Sequence, residues 1–123
     1  MMSESILKNK SYWFAVEIVK TTKQLQIREK EFVLSRQLLK SGTSVGANIR
    51  EAEYAQSDLD FISKMSISLK EANETIYWLD LLKDTDYIKM GEHNRLVNDI
   101  TEILRMLIST INTMKNKQKN RKS

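Results

Sequence analysis

The chain has no cysteine, no proline, only three glycines and a single histidine among its 123 residues. Without cysteine there can be no disulfide, thiolate zinc site or cysteine nucleophile, and the composition suits a reducing compartment. The lone His93 has no second imidazole and no Glu-x-x-His partner pattern, which argues against zinc or di-iron chemistry in a helical core. Its position near a helix start predicts an exposed or capping role. Glu51, Glu71 and Glu74 are expected to be solvated or paired with basic groups rather than catalytic. Long apolar runs are missing too: the longest uncharged stretches are residues 41–49 and 106–114, far short of the roughly twenty residues that a membrane span needs. The start shows no basic segment followed by an apolar run and a small-residue cleavage site, so no secretory signal is expected and the cytoplasm is the expected location. Gly42-x-x-x-Gly46 is not followed by Lys-Ser or Lys-Thr, which excludes a phosphate-cradling loop of that type. Neither a cofactor nor an enzymatic activity is expected.

What remains is a chain of helix-compatible residues with little to interrupt it. The most regular apolar repeat joins Val97, Ile100, Leu104, Leu107, Ile111 and Met114, widened by Leu96, Ile103 and Ile108. A second joins Ile62, Met65, Leu69, Ala72, Ile76 and Leu79, and Ser57 with Asp60 three residues later marks its start; this helix is expected over about 58–83. Leu38, Gly42, Val45, Ile49 and Ala52 keep one phase through the stretch 29–55, although each interior glycine costs a helix about 1 kcal/mol. Such small residues suit a close helix crossing, with Asn48 hydrogen-bonded at a partly buried position. The first helix carries Phe14, Ile18, Thr21 and Leu25 on one face. Its end bears no glycine or proline, but an unbroken helix of some fifty residues would run roughly 75 Å at 1.5 Å per residue, about twice its partners. A turn is therefore expected near residues 26–29. Four helices of similar length with short connections predict an all-α, antiparallel up-down-up-down four-helix bundle over residues 1–114. Residues 115–123 are expected to form a disordered basic tail.

The net charge of +4 is unevenly spread. Residues 1–40 hold eight basic and four acidic side chains, residues 41–114 seven and twelve, and residues 115–123 five and none. Excess positive charge therefore falls on the first two helices, at Lys20, Lys23, Arg28, Lys30, Arg36 and Lys40, and on the tail, at Lys115, Lys117, Lys119, Arg121 and Lys122. These are the candidate phosphate contacts. The third helix carries more apolar surface than one stripe needs; Phe61, Ile67, Tyr77, Trp78 and Leu81 are its candidate oligomer contacts.

The segment SGTSVGANIREA, with FISKMSISLKEANETIYWLDLL farther along, resembles the four-helix bundle proteins of the 23S rRNA intervening-sequence family. More distantly, it is similar to the accessory variability determinant protein of diversity-generating retroelements. The resemblance rests on Ser44, Asn48, Ile49 and Glu51, then Phe61, Leu69, Glu74, Tyr77 and Leu79. Many relatives have proline in place of Gly46 and glycine in place of Ala52. The resemblance implies a homo-oligomeric ring, frequently five-membered, and nucleic-acid binding. The expected function is a non-enzymatic scaffold that binds RNA or DNA. The alternative is a module that docks a protein partner, such as a nucleic-acid-processing enzyme of the reverse transcriptase kind.

Overall fold

A computed structural model describes residues 2–122, with side chains described for residues 5–121. The chain forms four helices: α1 (Met2–Arg28), α2 (Val33–Ala52), α3 (Asp58–Asp84) and α4 (Met90–Lys122). Each helix packs on the next and α1 closes the circuit on α4, so α1 and α3 stand at opposite corners of the bundle. Residue numbers rise on one helix as they fall on its neighbour. From α1 to α2, Lys8 pairs with Glu53 and the Gln26 amide donates to Ser35 Oγ; from α3 to α4, Asp58 accepts from Gln118 while Asp80 meets His93.

The core runs through Leu7, Ile18, Leu38, Val45, Leu79 and Leu107, all fully buried. Two glycines set the spacing of α1 against α2. A Cβ on Gly42 would lie 2.9 Å from both γ carbons of Ile18, and one on Gly46 would lie 3.2 Å from the Ser11 carbonyl oxygen. The small-residue segment is a close crossing, as expected.

The ends of the helices differ from expectation in instructive ways. Ser57 does cap α3, its Oγ accepting from the Asp60 N–H at 3.0 Å while the Asp60 carboxylate accepts from the Gln56 N–H. The first turn, however, occupies residues 29–32 rather than 26–29, and α2 is shorter than the stretch 29–55. Lys30 makes the bend with φ of 55°, a left-handed conformation usually given to glycine. Glu31 then caps α2 from outside it, its carboxylate accepting from the Ser35 N–H at 2.8 Å.

The expected disordered tail is also corrected, because α4 continues without a break to Lys122. Lys, Asn, Gln and Arg are compatible with a helix, and no glycine or proline stops it. Gln118 and Arg121 both donate to Asp58 Oδ2 at the start of α3, which ties these last turns to the bundle.

Candidate nucleic-acid interface

Lys20 and Lys23 project from the second half of α1, Arg28 ends it, Lys30 sits in the turn, and Arg36 and Lys40 stand four residues apart on α2. All six are exposed, and among the described residues none has an ion-pair partner. The sequence-predicted residues of the first cluster thus share one end of the α1–α2 pair.

The second cluster lies elsewhere. Lys115, Lys117 and Lys119 are exposed on the last turns of α4. Arg121 is committed to Asp58, and the side chain of Lys122 lies outside the described residues. Lys115 and Lys119 border a shallow groove of about 360 Å³ whose apolar lining is Leu59 and Ile62. Because Glu17 is level with Arg95, Lys20 stands level with the start of α4. The two clusters are therefore separated by more than twenty residues of helix, roughly 35 Å at 1.5 Å per residue. The structure does not bring them together.

Residues 3–109 match the family described as 23S rRNA-intervening sequence protein. The chain belongs to that family. A crystal structure of a protein of unknown function from the S23 ribosomal protein family of Bacteroides thetaiotaomicron is 55% identical, with a TM-score of 0.88 over 89% of this chain and 98% of that one. No curated protein matches the sequence.

In this member of the 23S rRNA-intervening sequence family, the segment that carries the resemblance is structural at its centre. The Asn48 amide donates to the Ser44 carbonyl at 2.8 Å, and Ser44 Oγ donates to the Lys40 carbonyl at 2.6 Å. Glu51 is exposed. Gly46, Ala47 and Thr43 floor a groove of about 310 Å³ beside Tyr12 and Arg50.

The candidate oligomer contacts on α3 divide in two. Phe61 and Trp78 are half-buried and pack on the core; Trp78 Nε1 donates to Glu74 Oε1 at 3.2 Å, and its ring meets Tyr77 edge to face at 5.0 Å. Leu81 is half-buried. Ile67 and Tyr77 stand free, 42% and 57% exposed.

Sequence reasoning missed a larger apolar surface on α1. Tyr12 and Trp13 are 51% and 64% exposed, and their rings pack edge to face 5.4 Å apart. Ile6, Val19 and Ile27 are exposed on the same helix. The signal was present, since these apolar residues fall outside the stripe of Leu7, Phe14, Ile18 and Leu25; following that stripe alone passed over them.

His93 is corrected too. Rather than exposed or capping the helix, it is 7% accessible, its ring meets the side chains of Asn94 and Asp80, and its Nε2 lies 2.7 Å from Asp80 Oδ1, fastening the start of α4 to α3. Among the described residues, no three His, Asp or Glu side chains converge as metal ligands, and no helix is long and apolar enough to cross a membrane.

Proposed function

We propose that the protein is a non-enzymatic, homo-oligomeric scaffold of antiparallel up-down-up-down bundles, arranged as a ring in the cytoplasm, that binds RNA or DNA by its phosphates. The resemblance to ring-forming relatives makes five subunits the expected number. The observation that carries the reading is the exposure of Lys20, Lys23, Arg28, Lys30, Arg36 and Lys40 without ion-pair partners among the described residues. An unpaired surface cation is available to displace counterions from a phosphate backbone. A ring repeats each such cluster once per subunit, so a modest local charge becomes a large one. Phosphate contacts position a protein without specifying sequence, so no base preference is expected.

The test is fluorescence anisotropy with RNA, single-stranded DNA and duplex DNA across a salt series. Binding should be tightest at low salt and fall linearly with log salt, by close to one unit of slope for each phosphate contacted on duplex DNA. Absence of binding to all three at low salt overturns the reading. The second reading, docking of a protein partner, is favoured by exposed Tyr54, 78% accessible just beyond α2. Apolar docking has little dependence on salt.

A further inference from the structure

In α1 and α3, the two helices at opposite corners of the bundle, apolar residues occupy the outer face as well as the core face. On α1 they are Tyr12, Trp13 and Ile27; on α3 they are Ile67, Tyr77 and Leu81. The outer face of α2, apart from Val33 in its first turn, presents Arg36, Gln37, Lys40 and Arg50.

The contacts of α2 with its two neighbours fix the relative heights of these outer faces. Gly46 lies against Ser11 while the Val45 carbonyl accepts from Ser68 Oγ, which puts Ile67 level with Ser11 and within about half a turn of Trp13. Gly42 lies against Ile18 while the Thr75 and Ser41 hydroxyls are hydrogen-bonded to each other, which puts Glu74 level with Ile18 and within about half a turn of Lys20. Ser35 accepts from Gln26, and the Ser41–Thr75 contact carried two turns along puts Ile27 level with Leu81. The heights advance in the same direction on both helices. Apolar thus stands within about half a turn of apolar, and base within about half a turn of acid, on two faces that point away from each other.

We infer that the outer face of α1 in one copy docks on the outer face of α3 in the next copy. This rests on the homo-oligomeric reading above and supplies its contact surfaces. The patches differ and lie on opposite corners, so the contact is head-to-tail, the kind that closes into a ring rather than stopping at a two-fold dimer. Copies related by rotation about an axis parallel to the bundles keep their heights matched. Trp13 then packs on Ile67, Ile27 on Leu81, and Lys20 and Lys23 meet Glu71 and Glu74, an aromatic and apolar contact with complementary charges that set its register. Lys70 stands level with Phe14, in the stretch between Lys10 and Lys20 where α1 has no basic side chain. The contact commits Lys20 and Lys23 to the next copy, leaves Arg28, Lys30, Arg36 and Lys40 of that cluster to carry the nucleic-acid reading, and turns every α2 to the same side of the ring, with Arg36 and Lys40 repeated around it.

The absence of native cysteine makes the test clean. Trp13→Cys combined with Ile67→Cys places thiols on opposite corners of one bundle, where no internal disulfide can span them. Mild oxidation should give a ladder of covalently joined chains on a non-reducing gel, whereas Trp13→Cys alone should stay a single chain. In parallel, Lys20→Glu and Glu74→Lys should each lower the mass measured by light scattering, and the two together should restore it. Dimers from Trp13→Cys alone would overturn the head-to-tail contact. So would a multimeric mass with no ladder and no effect of the charge changes, although the scaffold reading would survive. A monomeric wild-type protein at micromolar concentration would overturn the contact and the homo-oligomeric reading together, leaving nucleic-acid binding to the salt titration.

Discussion

Ile18 fills the space that a side chain at Gly42 would need. Its two γ carbons lie 2.9 Å and its Cβ 3.3 Å from the point where that Cβ would sit, and a buried, β-branched side chain cannot rotate away. Gly42→Ala should therefore destabilise the bundle by up to about 2 kcal/mol, because overpacking of about 1–3 kcal/mol is offset by a helix-propensity gain of nearly 1. At Gly91 a Cβ meets nothing within 4 Å, so Gly91→Ala should be neutral or stabilising. Urea denaturation of the pair checks the contrast. Equal midpoints would mean that α1 and α2 separate at little cost.

Lys30 holds φ of 55° in the α1–α2 turn, while the N–H groups of Glu29 and Glu31 both donate to the Leu25 carbonyl. A left-handed conformation costs a side-chain-bearing residue roughly 1–2 kcal/mol, and glycine returns part of that gain as unfolded-state entropy. Lys30→Gly should raise stability by up to about 1 kcal/mol. A loss of stability in thermal melts would mean that the lysine makes a favourable contact that outweighs its strain.

That turn also shows how far the sequence could be read. Four helices, the cap at Ser57 and the close crossing at Gly42 were legible, because periodicity and small residues act locally. The α1–α2 boundary was inferred from length and fell a few residues early. Its marker is a lysine in the place of glycine, and its cap is Glu31 acting from one residue outside the usual position. Of the candidate site, the exposure of the basic residues was legible from charge alone. Their separation into two ends was not, because it depends on which helix ends meet. His93 was misplaced for the same reason: its partner Asp80 belongs to another helix.

The buried line of α3 is a further case, since Met65, Ser68, Ala72, Thr75 and Leu79 are buried while Ile76 is only partly so. Ser68 and Thr75 enter the core because each finds a partner there, Ser68 on the Val45 carbonyl at 2.8 Å and Thr75 on the Glu71 carbonyl at 2.8 Å. Periodicity counts only apolar residues and so drifts toward Ile62, Leu69 and Ile76. Leu79→Ala and Leu107→Ala should each cost about 2–5 kcal/mol, and Ile76→Ala and Leu104→Ala distinctly less. Chemical denaturation of the four variants ranks them, and the reverse order would show that the half-buried residues are covered by another subunit.

Removing the acceptor of His93 should be costlier than its surface position suggests. Asp80 is about half exposed, yet His93 Nε2 is held against it with the ring 9% accessible. Asp80→Ala leaves a buried donor unpaired, a loss of about 1–3 kcal/mol, whereas Asp80→Asn keeps an acceptor oxygen in place. Differential scanning calorimetry should separate the two. Identical melting would mean that water takes the place of Asp80.

The two basic clusters call for separate tests, since they lie roughly 35 Å apart along the bundle at 1.5 Å per residue. Deleting residues 115–123 would remove the Gln118 and Arg121 contacts to Asp58 along with the charges, mixing stability with binding. Substitutions at exposed, unpaired positions avoid that. Arg36→Glu with Lys40→Glu alters one end, and Lys117→Glu with Lys119→Glu alters the other. On a duplex longer than about ten base pairs, at 3.4 Å each, one ligand can reach both ends. Each double variant should then weaken binding and flatten the log-salt slope by close to two units for each subunit engaged, with no change in sequence preference. On shorter duplexes, the pair at the end that makes the contact should carry the whole effect. Circular dichroism of both variants should remain that of the parent protein, because none of the four side chains touches the core. If wild-type protein binds and neither pair alters affinity or slope, the phosphate contacts lie outside both clusters and the assignment of the binding surface is wrong.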